Sequence, residues 1–341
     1  MASHVNRQWL LESYPRGMAS ENNFRLVESS VPDPKRGQIL VRTLYLSVDP
    51  YMRGRMNREG SYAEPAKLNE VMIGATVGQV VQSKNDRFKE GDFVLAYHGW
   101  QDYGLSDGGD LSSLDLAPEL LPAALGALGM PGITAWYGML EIGQPKSGQT
   151  VVISGAAGAV GSVAGQIAKM KGCRVVGLAG SEQKVRWLRD TLGFDAAVNY
   201  KATDNLKDAL ARACGRGVDI YFDNVGGRVT DSVLSLLNVR ARIVVCGQIS
   251  MYNLESPEPA APILPVLLVK RASAKGFIIS DHMDRFPEAF SQLREWVEKR
   301  RLKHEETITE GLENAPRAFL GLFEGKNMGK QVVKVSDPQH M

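Results

Sequence analysis

The run SGAAGAVGSVAGQIAK, residues 154–169, carries the most specific chemistry in the sequence. Ala156, Gly158 and Gly161 stand at the G-x-G-x-x-G positions, with Ala157, Ala159 and Val160 between them, and alanine replaces the first glycine. The bare backbone at Gly158 lets a pyrophosphate approach, and that at Gly161 lets helix and strand pack closely. Amides at the start of the following helix turn partial positive charge toward the phosphates. A glycine pattern alone also fits a tight structural turn, but the strand before it and the helix after it point to a dinucleotide.

Which dinucleotide is decided about 20 residues further on, where an acidic residue would take the ribose 2′-hydroxyl of NAD. This chain has LAGSEQK there. Gly180 and Ser181 leave space and a hydroxyl, and Lys184, with Arg186 nearby, offers a cation to a 2′-phosphate. Glu182 lies past the strand end, where it is expected to face solvent. The bland alternative for Lys184 is a solvated helix residue, yet the set favours NADPH over NADH.

The elements that must position this loop change character along the chain. Up to about residue 122 the text is strand-like, with QILVRTLYLSV, ATVGQVVQS and DFVLAYH separated by turn residues. LPAALGALGMPGITAWYGMLEIG then takes helical spacing. From Gln149 onward, apolar strands alternate with amphipathic helices as in a parallel α/β sheet. TVVISG, CRVVGLAG, AAVNY, VDIYFDNVG and RIVVCGQI read as strands. AVGSVAGQIAKMKG, SEQKVRWLRDTLG, DNLKDALARACG, TDSVLSLL and DRFPEAFSQLREWVEKR read as helices. The class predicted is α/β: a doubly wound parallel Rossmann sheet beside a β-rich N-terminal domain. KQVVKV is a closing strand expected to return to that domain, and the Pro-rich SPEPAAPILP reads as a loop.

Composition excludes several classes of function. A chain of 341 residues suits two cores, and 44% hydrophobic with 23% charged residues is ordinary globular composition. Lys and Arg total 40 against 38 for Asp and Glu, a net charge of +2, which gives no electrostatic case for nucleic acid or an anionic membrane. A small-molecule partner is expected. MASHVNRQWLLESYPRG has no signal-peptide pattern and no later stretch is apolar for the ~20 residues of a membrane helix, so a cytoplasmic location is expected. Cys173, Cys214 and Cys246 are too scattered for a disulfide framework or Cys-x-x-Cys metal spacing, and read as small apolar residues beside strands.

Six ordered motifs, spanning nearly the whole chain, resemble one family. They are SVDPYMRGRM, GMPGITAWYGML, the glycine loop extended to CRVVG, DIYFDNVGG, CGQIS followed by Tyr252-Asn253, and GKNMGKQVVKV. The resemblance is to zinc-independent medium-chain reductases of the leukotriene B4 12-hydroxydehydrogenase/prostaglandin reductase type, with the bacterial NADPH-dependent curcumin reductase branch nearest.

The resemblance implies a GroES-like domain over residues 1–124, a Rossmann NADP-binding domain over 125–290, and a segment over 291–341 that completes the first, with nicotinamide in the cleft between domains. It implies that Lys184 meets the 2′-phosphate, Tyr200 the adenosine side, and Asn224 the cofactor beside the fourth strand. Cys246, Gly247, Ser250 and Tyr252 would line the nicotinamide half, Phe277, Ile278 and Ile279 would pass the carboxamide, and Asn327 would reach the diphosphate or ribose. Tyr200 as a strand cap, Asn224 as a turn residue and Asn327 as a loop former are the bland alternatives. Family members are often homodimers through Rossmann sheet edges, and RASAKGFII is the candidate edge strand.

No metal is expected. Where zinc alcohol dehydrogenases place Cys-x-Thr/Ser-Asp, this chain has Ser47, Val48 and Asp49, and where they place Gly-His-Glu it has Gly74, Ala75 and Thr76. His4 and His98 are isolated, and the four-cysteine structural lobe is missing. Such a site must stabilise oxyanion charge with hydrogen bonds, which suits conjugate reduction of an α,β-unsaturated ketone or aldehyde through an enolate. Hydride would reach the β-carbon and a proton the α-carbon. Tyr252 and the ribose 2′-hydroxyl are the expected donors, and Tyr51 would orient the substrate; aromatic packing is the alternative for both tyrosines. Met52, Met56, Trp100 and Tyr103 line the pocket or, the better expectation for each, pack the core. Two rivals stay open: reduction of quinones by the same NADPH, and a non-catalytic NADP-binding regulatory protein.

Overall fold

The structure, a computed structural model, describes residues 5–59 and 61–339, so His4 lies outside the described residues. These residues form two compact units. One runs to Leu125 and is joined by Glu306–Asn327 and by residues from Gln331 on; the other is Gly126–Glu305 with Met328–Lys330.

The first unit begins with the antiparallel pair β1 (Val5–Leu11) and β2 (Phe24–Ser30). Its main sheet contains β3 (Ile39–Ser47), β4 (Thr76–Ser83), β5 (Phe93–Ala96), β6 (Tyr103–Ser106) and β7 (Ser112–Ser113), with the one-and-a-half-turn helix α1 (Tyr51–Arg55) after β3. Strand β3 is buried on both faces, which is why its sequence is a near-continuous apolar run rather than an alternating one. Met52, Met56 and Trp100 are fully buried and belong to one cluster with Phe24 and Phe319, while Tyr103 is also buried. Trp100 stacks on Phe24 with ring centroids 5.2 Å apart. These four residues are core, as the sequence favoured.

Three helical pieces span the end of the first unit and the start of the second, over the stretch read as helically spaced. A 3-10 segment covers Pro118–Leu125, at the end of the first unit, followed by α2 (Met130–Tyr137) and a π-type turn over Gly138–Gly143. Pro122 and the Gly126/Gly129 pair interrupt regular i to i−4 bonding. Then come β8 (Thr150–Ile153), α3 (Ala159–Met170), β9 (Arg174–Ala179), α4 (Glu182–Arg186), β10 (Ala196–Asn199), α5 (Leu206–Cys214), β11 (Val218–Asp223), α6 (Gly227–Leu234) and β12 (Leu237–Val245). Asn205 caps α5 by accepting from Asp208 N at 3.1 Å.

Helix α7 (Ile263–Lys270) begins inside the Pro-rich stretch read as a loop. Pro265 falls in its first turn, where no backbone N–H needs an intrahelical partner. Strand β13 (Ser273–Gly276) and helix α8 (Phe286–Glu298) follow. The second unit runs past residue 290 to Glu305, because Ala289, Leu293 and Trp296 bury one face of α8 and Gln292 accepts from Trp136 Nε1 at 3.0 Å. Strands β8 to β13 make a six-stranded parallel sheet in the order β10-β9-β8-β11-β12-β13. This is the doubly wound order, with its reversal between β8 and β11.

The chain then returns to the first unit as β14 (Glu306–Glu310), α9 (Ala315–Glu324) and β15 (Lys330–Lys334). The finished sheet has the order β14-β15-β3-β4-β5-β7, with β6 also on β3. Among the described residues, no helix is long and apolar enough to cross a membrane.

Candidate active site

All six parallel strands end on one edge of the sheet, and each carries a candidate residue just beyond its last position. Ala156 follows β8, Gly180 follows β9, Tyr200 follows β10, Asn224 follows β11, Cys246 follows β12 and Phe277 follows β13. The crevice beyond the carboxyl ends at the strand-order reversal is where doubly wound sheets take ligands.

At that crevice Gly158 caps α3 in extended conformation, φ −87° and ψ 176°, leaving the first amides of the helix to an anion. Ala156 and Ala157 are buried, whereas Gly158, Ala159 and Val160 are part-exposed. A Cβ on Gly161 would stand 2.4 Å from Gly155 O and 2.8 Å from Ala156 Cα, so glycine is required there by close approach. Gly329 N donates to Ala157 O at 2.8 Å, holding Met328–Lys330 beside the loop. Asn327 precedes that segment and belongs to the first unit.

Asn224 is tied across the reversal: its Nδ2 donates to Ser154 O at 2.7 Å and its N to Ser154 Oγ at 2.9 Å. Beneath it lies Asp223, 1% exposed. Its carboxylate accepts from Ser154 Oγ, Tyr221 Oη, Thr230 Oγ1, the amides of Val225 and Gly226, and Gln248 Nε2. Six donors explain how an ionisable group is tolerated there. The sequence did not single out Asp223 or Gln248, because nothing in their spacing shows that β11 and β12 meet.

At the ends of β9 and β10, Ser181 caps α4, its Oγ accepting from Lys184 N at 3.3 Å. Glu182 is exposed, and its carboxylate takes Asn199 Nδ2 at 2.8 Å. Burial, and then the neighbouring Lys201 cation, lower the Lys184 pKa below the ordinary lysine value. A Cβ on Gly180 would meet Tyr200 Oη at 3.0 Å and Lys201 Cε at 3.2 Å. An aspartate of the NAD-binding kind would be crowded at this position. Burial raises the Tyr200 phenol.

Past β12, Tyr252 is half-buried and its hydroxyl accepts from Gln248 N at 3.1 Å, which leaves the phenolic proton to be donated elsewhere. Burial raises its pKa above the ordinary value; the Gln248 hydrogen bond opposes this, and Cys246 and Asp223 add to it. The Cys246 thiol is pushed up to about 12 by burial and by Asp223. Gly247 lies under the Tyr252 hydroxyl, and exposed Ser250 donates to Val225 O at 2.6 Å. Phe277 packs on Tyr137 with centroids 5.6 Å apart; Ile278 is part-exposed and Ile279 buried.

In the first unit, Tyr51 opens α1. Its pKa is strongly raised, first by burial, then by Asp49, Tyr97 and Tyr62. Asp49 is itself buried and accepts from Ser47 Oγ. Tyr97 and Tyr62 are 61% and 56% exposed, and the Tyr97 phenol is likewise raised, first by burial and then by Asp49. Tyr62 and Tyr97 were not sequence candidates: both lie in loops without periodicity. No group of three or more His, Cys, Asp or Glu able to hold a metal occurs among the described residues.

Residues 7–114 match the family described as "N-terminal domain of oxidoreductase", and residues 159–299 the one described as "Zinc-binding dehydrogenase". The chain is 49% identical over 336 residues to the NADPH-dependent curcumin reductase of Escherichia coli (strain K12), covering 97% of each protein. It is 40% identical over 343 residues to an NADP(+)-dependent 2-alkenal reductase of Nicotiana tabacum, covering 98% of this chain and 99% of the relative. The crystal structure of CurA in complex with NADPH from Vibrio vulnificus superposes with a TM-score of 0.93 at 48% identity, over 97% of this chain and 100% of that one.

Proposed function

The chain belongs to the zinc-independent medium-chain dehydrogenase/reductase family, and from that membership we propose that it is an NADPH-dependent reductase of the carbon–carbon double bond in α,β-unsaturated ketones or aldehydes. The observation that carries this reading is the alignment of candidate residues along the carboxyl edge of the parallel sheet, with a donor phenol at one end and a lysine pair at the other. The residues fit NADPH. Gly161 and the α3 amides suit a diphosphate, and Gly180, Ser181 and Lys184 suit a 2′-phosphate in place of a free hydroxyl.

When bound, NADPH supplies the hydride. Tyr252 keeps its proton well into alkaline pH and donates a hydrogen bond to the substrate oxygen, where charge accumulates as the double bond is reduced at the β-carbon. Its own oxygen is anchored by Gln248 N, so the donor is fixed in advance. To Tyr51 we assign substrate orientation. Cys246, Gly247 and Phe277–Ile279 give the nicotinamide end a largely apolar wall. Quinones, being conjugated diketones, fit the same donor arrangement.

The test follows NADPH absorbance with a simple aliphatic enone, identifies the product by mass spectrometry, and repeats the assay with NADH and with a chelator. Saturated ketone formed from NADPH, unaffected by chelation, supports the proposal. An allylic alcohol would mean carbonyl reduction and would refute it, and tight NADPH binding without turnover would return the chain to the regulatory reading.

The same proposal includes a homodimer. Strand β13 is exposed at the sheet edge, and beside it α7 exposes Leu264, Leu268 and Val269 at 74%, 78% and 65%. An unpaired edge next to an apolar helix face suits a second copy of the same chain. Light scattering after size exclusion tests it, and a monomer at micromolar concentration would reject it.

A further inference from the structure

We propose that Lys201 is a second phosphate-binding cation, which together with Lys184 makes the site selective for a dinucleotide bearing a 2′-phosphate. This rests on the reading of the site as an NADPH site. Parallel pairing of β9 with β10 sets Asn199 opposite Ala179, so Gly180-Ser181 and Tyr200-Lys201 leave the sheet side by side. The Lys201 Cε stands 3.2 Å from the position a Cβ on Gly180 would take, which packs the lysine stem directly over that glycine. Its backbone is fixed by Lys201 N donating to Asn199 Oδ1 at 3.1 Å.

The same asparagine uses its Nδ2 to hold Glu182, the acid closest in sequence to Lys184, in a hydrogen bond of its own. The Lys201 ammonium has no ion pair among the described residues, and it stands close enough to Lys184 for its charge to be felt there. The two ammonium charges repel each other, and an anion bound beside both relieves that repulsion. A phosphate monoester, carrying roughly −1.5 to −2 near neutral pH, balances two ammonium groups, whereas a ribose hydroxyl balances neither. Tyr200 Oη, 3.0 Å from the same point, supplies a neutral donor to the same place.

The test measures Kd by titration for NADPH, NADH, 2′,5′-ADP and 5′-AMP in wild type, Lys201→Met and Lys201→Arg. Lys201 is exposed, so the variants are expected to fold. Lys201→Met should weaken NADPH and 2′,5′-ADP by about tenfold or more, the scale of one charged hydrogen bond, and leave NADH and 5′-AMP within a factor of two. It should also flatten the salt dependence of NADPH binding, and Lys201→Arg should restore most of the loss. Unchanged 2′,5′-ADP affinity in Lys201→Met, or equal losses for phosphorylated and unphosphorylated ligands, would overturn the assignment. A wild-type protein that binds NADH as tightly as NADPH would instead overturn the cofactor reading on which it rests.

Discussion

Replacing Gly161 with alanine probes the phosphate loop where it is tightest. The new Cβ would stand 2.4 Å from Gly155 O, 2.8 Å from Ala156 Cα and 3.0 Å from Gly155 C. All three are backbone atoms, so no side chain can swing aside. Relaxed carbon contacts begin near ~3.5 Å, and the loop or the start of α3 must therefore retreat by roughly 1 Å. Overpacking on this scale costs about 1–3 kcal/mol. Urea unfolding should show that loss in the ligand-free protein. NADPH affinity should fall about tenfold or more, because 1 Å at the amides is large against a hydrogen-bond length. Gly54→Ala is the matched control: it makes the same chemical change inside α1 with nothing within 4 Å of the new carbon, and should be neutral or stabilising by about 0.5–1 kcal/mol. Wild-type stability and wild-type NADPH affinity in Gly161→Ala would refute the close-approach reasoning. Equal losses in both variants would assign the effect to alanine itself rather than to crowding.

Other expectations follow from the same geometry. Tyr252→Phe should lower kcat by about 10²-fold with little change in NADPH Kd, since it removes a donor used only as charge develops; an unchanged kcat takes Tyr252 out of the mechanism. His98 is buried with neither ring nitrogen hydrogen-bonded, and burial holds its pKa below the ordinary 6.5. The unfolded chain thus binds a proton that the folded one refuses, so stability present above about pH 6.5 is lost as pH falls below it. His98→Leu should flatten the acid limb of the melting temperature between pH 7 and ~5.5, and an identical limb would show that other groups cause it. With its thiol pushed up to about 12, Cys246 should alkylate far more slowly than a free thiol when the native protein meets iodoacetamide at pH 8; rapid labelling located there by peptide mapping would contradict the burial described.

What was legible in the sequence was whatever repeats locally. Strand–helix alternation from Gln149 onward and the turn at Gly158 are written in consecutive residues, and five of the six strands of the parallel sheet follow from them. Lys184 was legible as a candidate because it sits a fixed distance beyond a glycine loop. Lys201 was not: it is distant in sequence from Gly180 and becomes a neighbour only through the pairing of β9 with β10. Asp223 and Gln248 were hidden for the same reason, their bond at 2.9 Å joining two strand ends. Helix α7 escaped because Pro262 and Pro265 look like loop residues, and because ILPVLLVK is apolar all round and shows no helical period. The N-terminal pair β1–β2 carried no turn signature strong enough to announce it.

The placement of β15 between β14 and β3 bears on how the protein is made. Val332 pairs with Ser47, so an interior strand of the first sheet is made only after the whole span Gly126–Glu305 of the second unit. The second unit, nearly contiguous from Gly126 to Glu305, can assemble during translation, while β3 waits with an open flank for a partner not yet synthesised. Nascent chains stalled between Glu305 and Lys330 should therefore expose the Tyr45–Ser47 flank of β3 to chaperones or to other copies, and termination in that interval should leave the second unit largely folded and the first aggregation-prone.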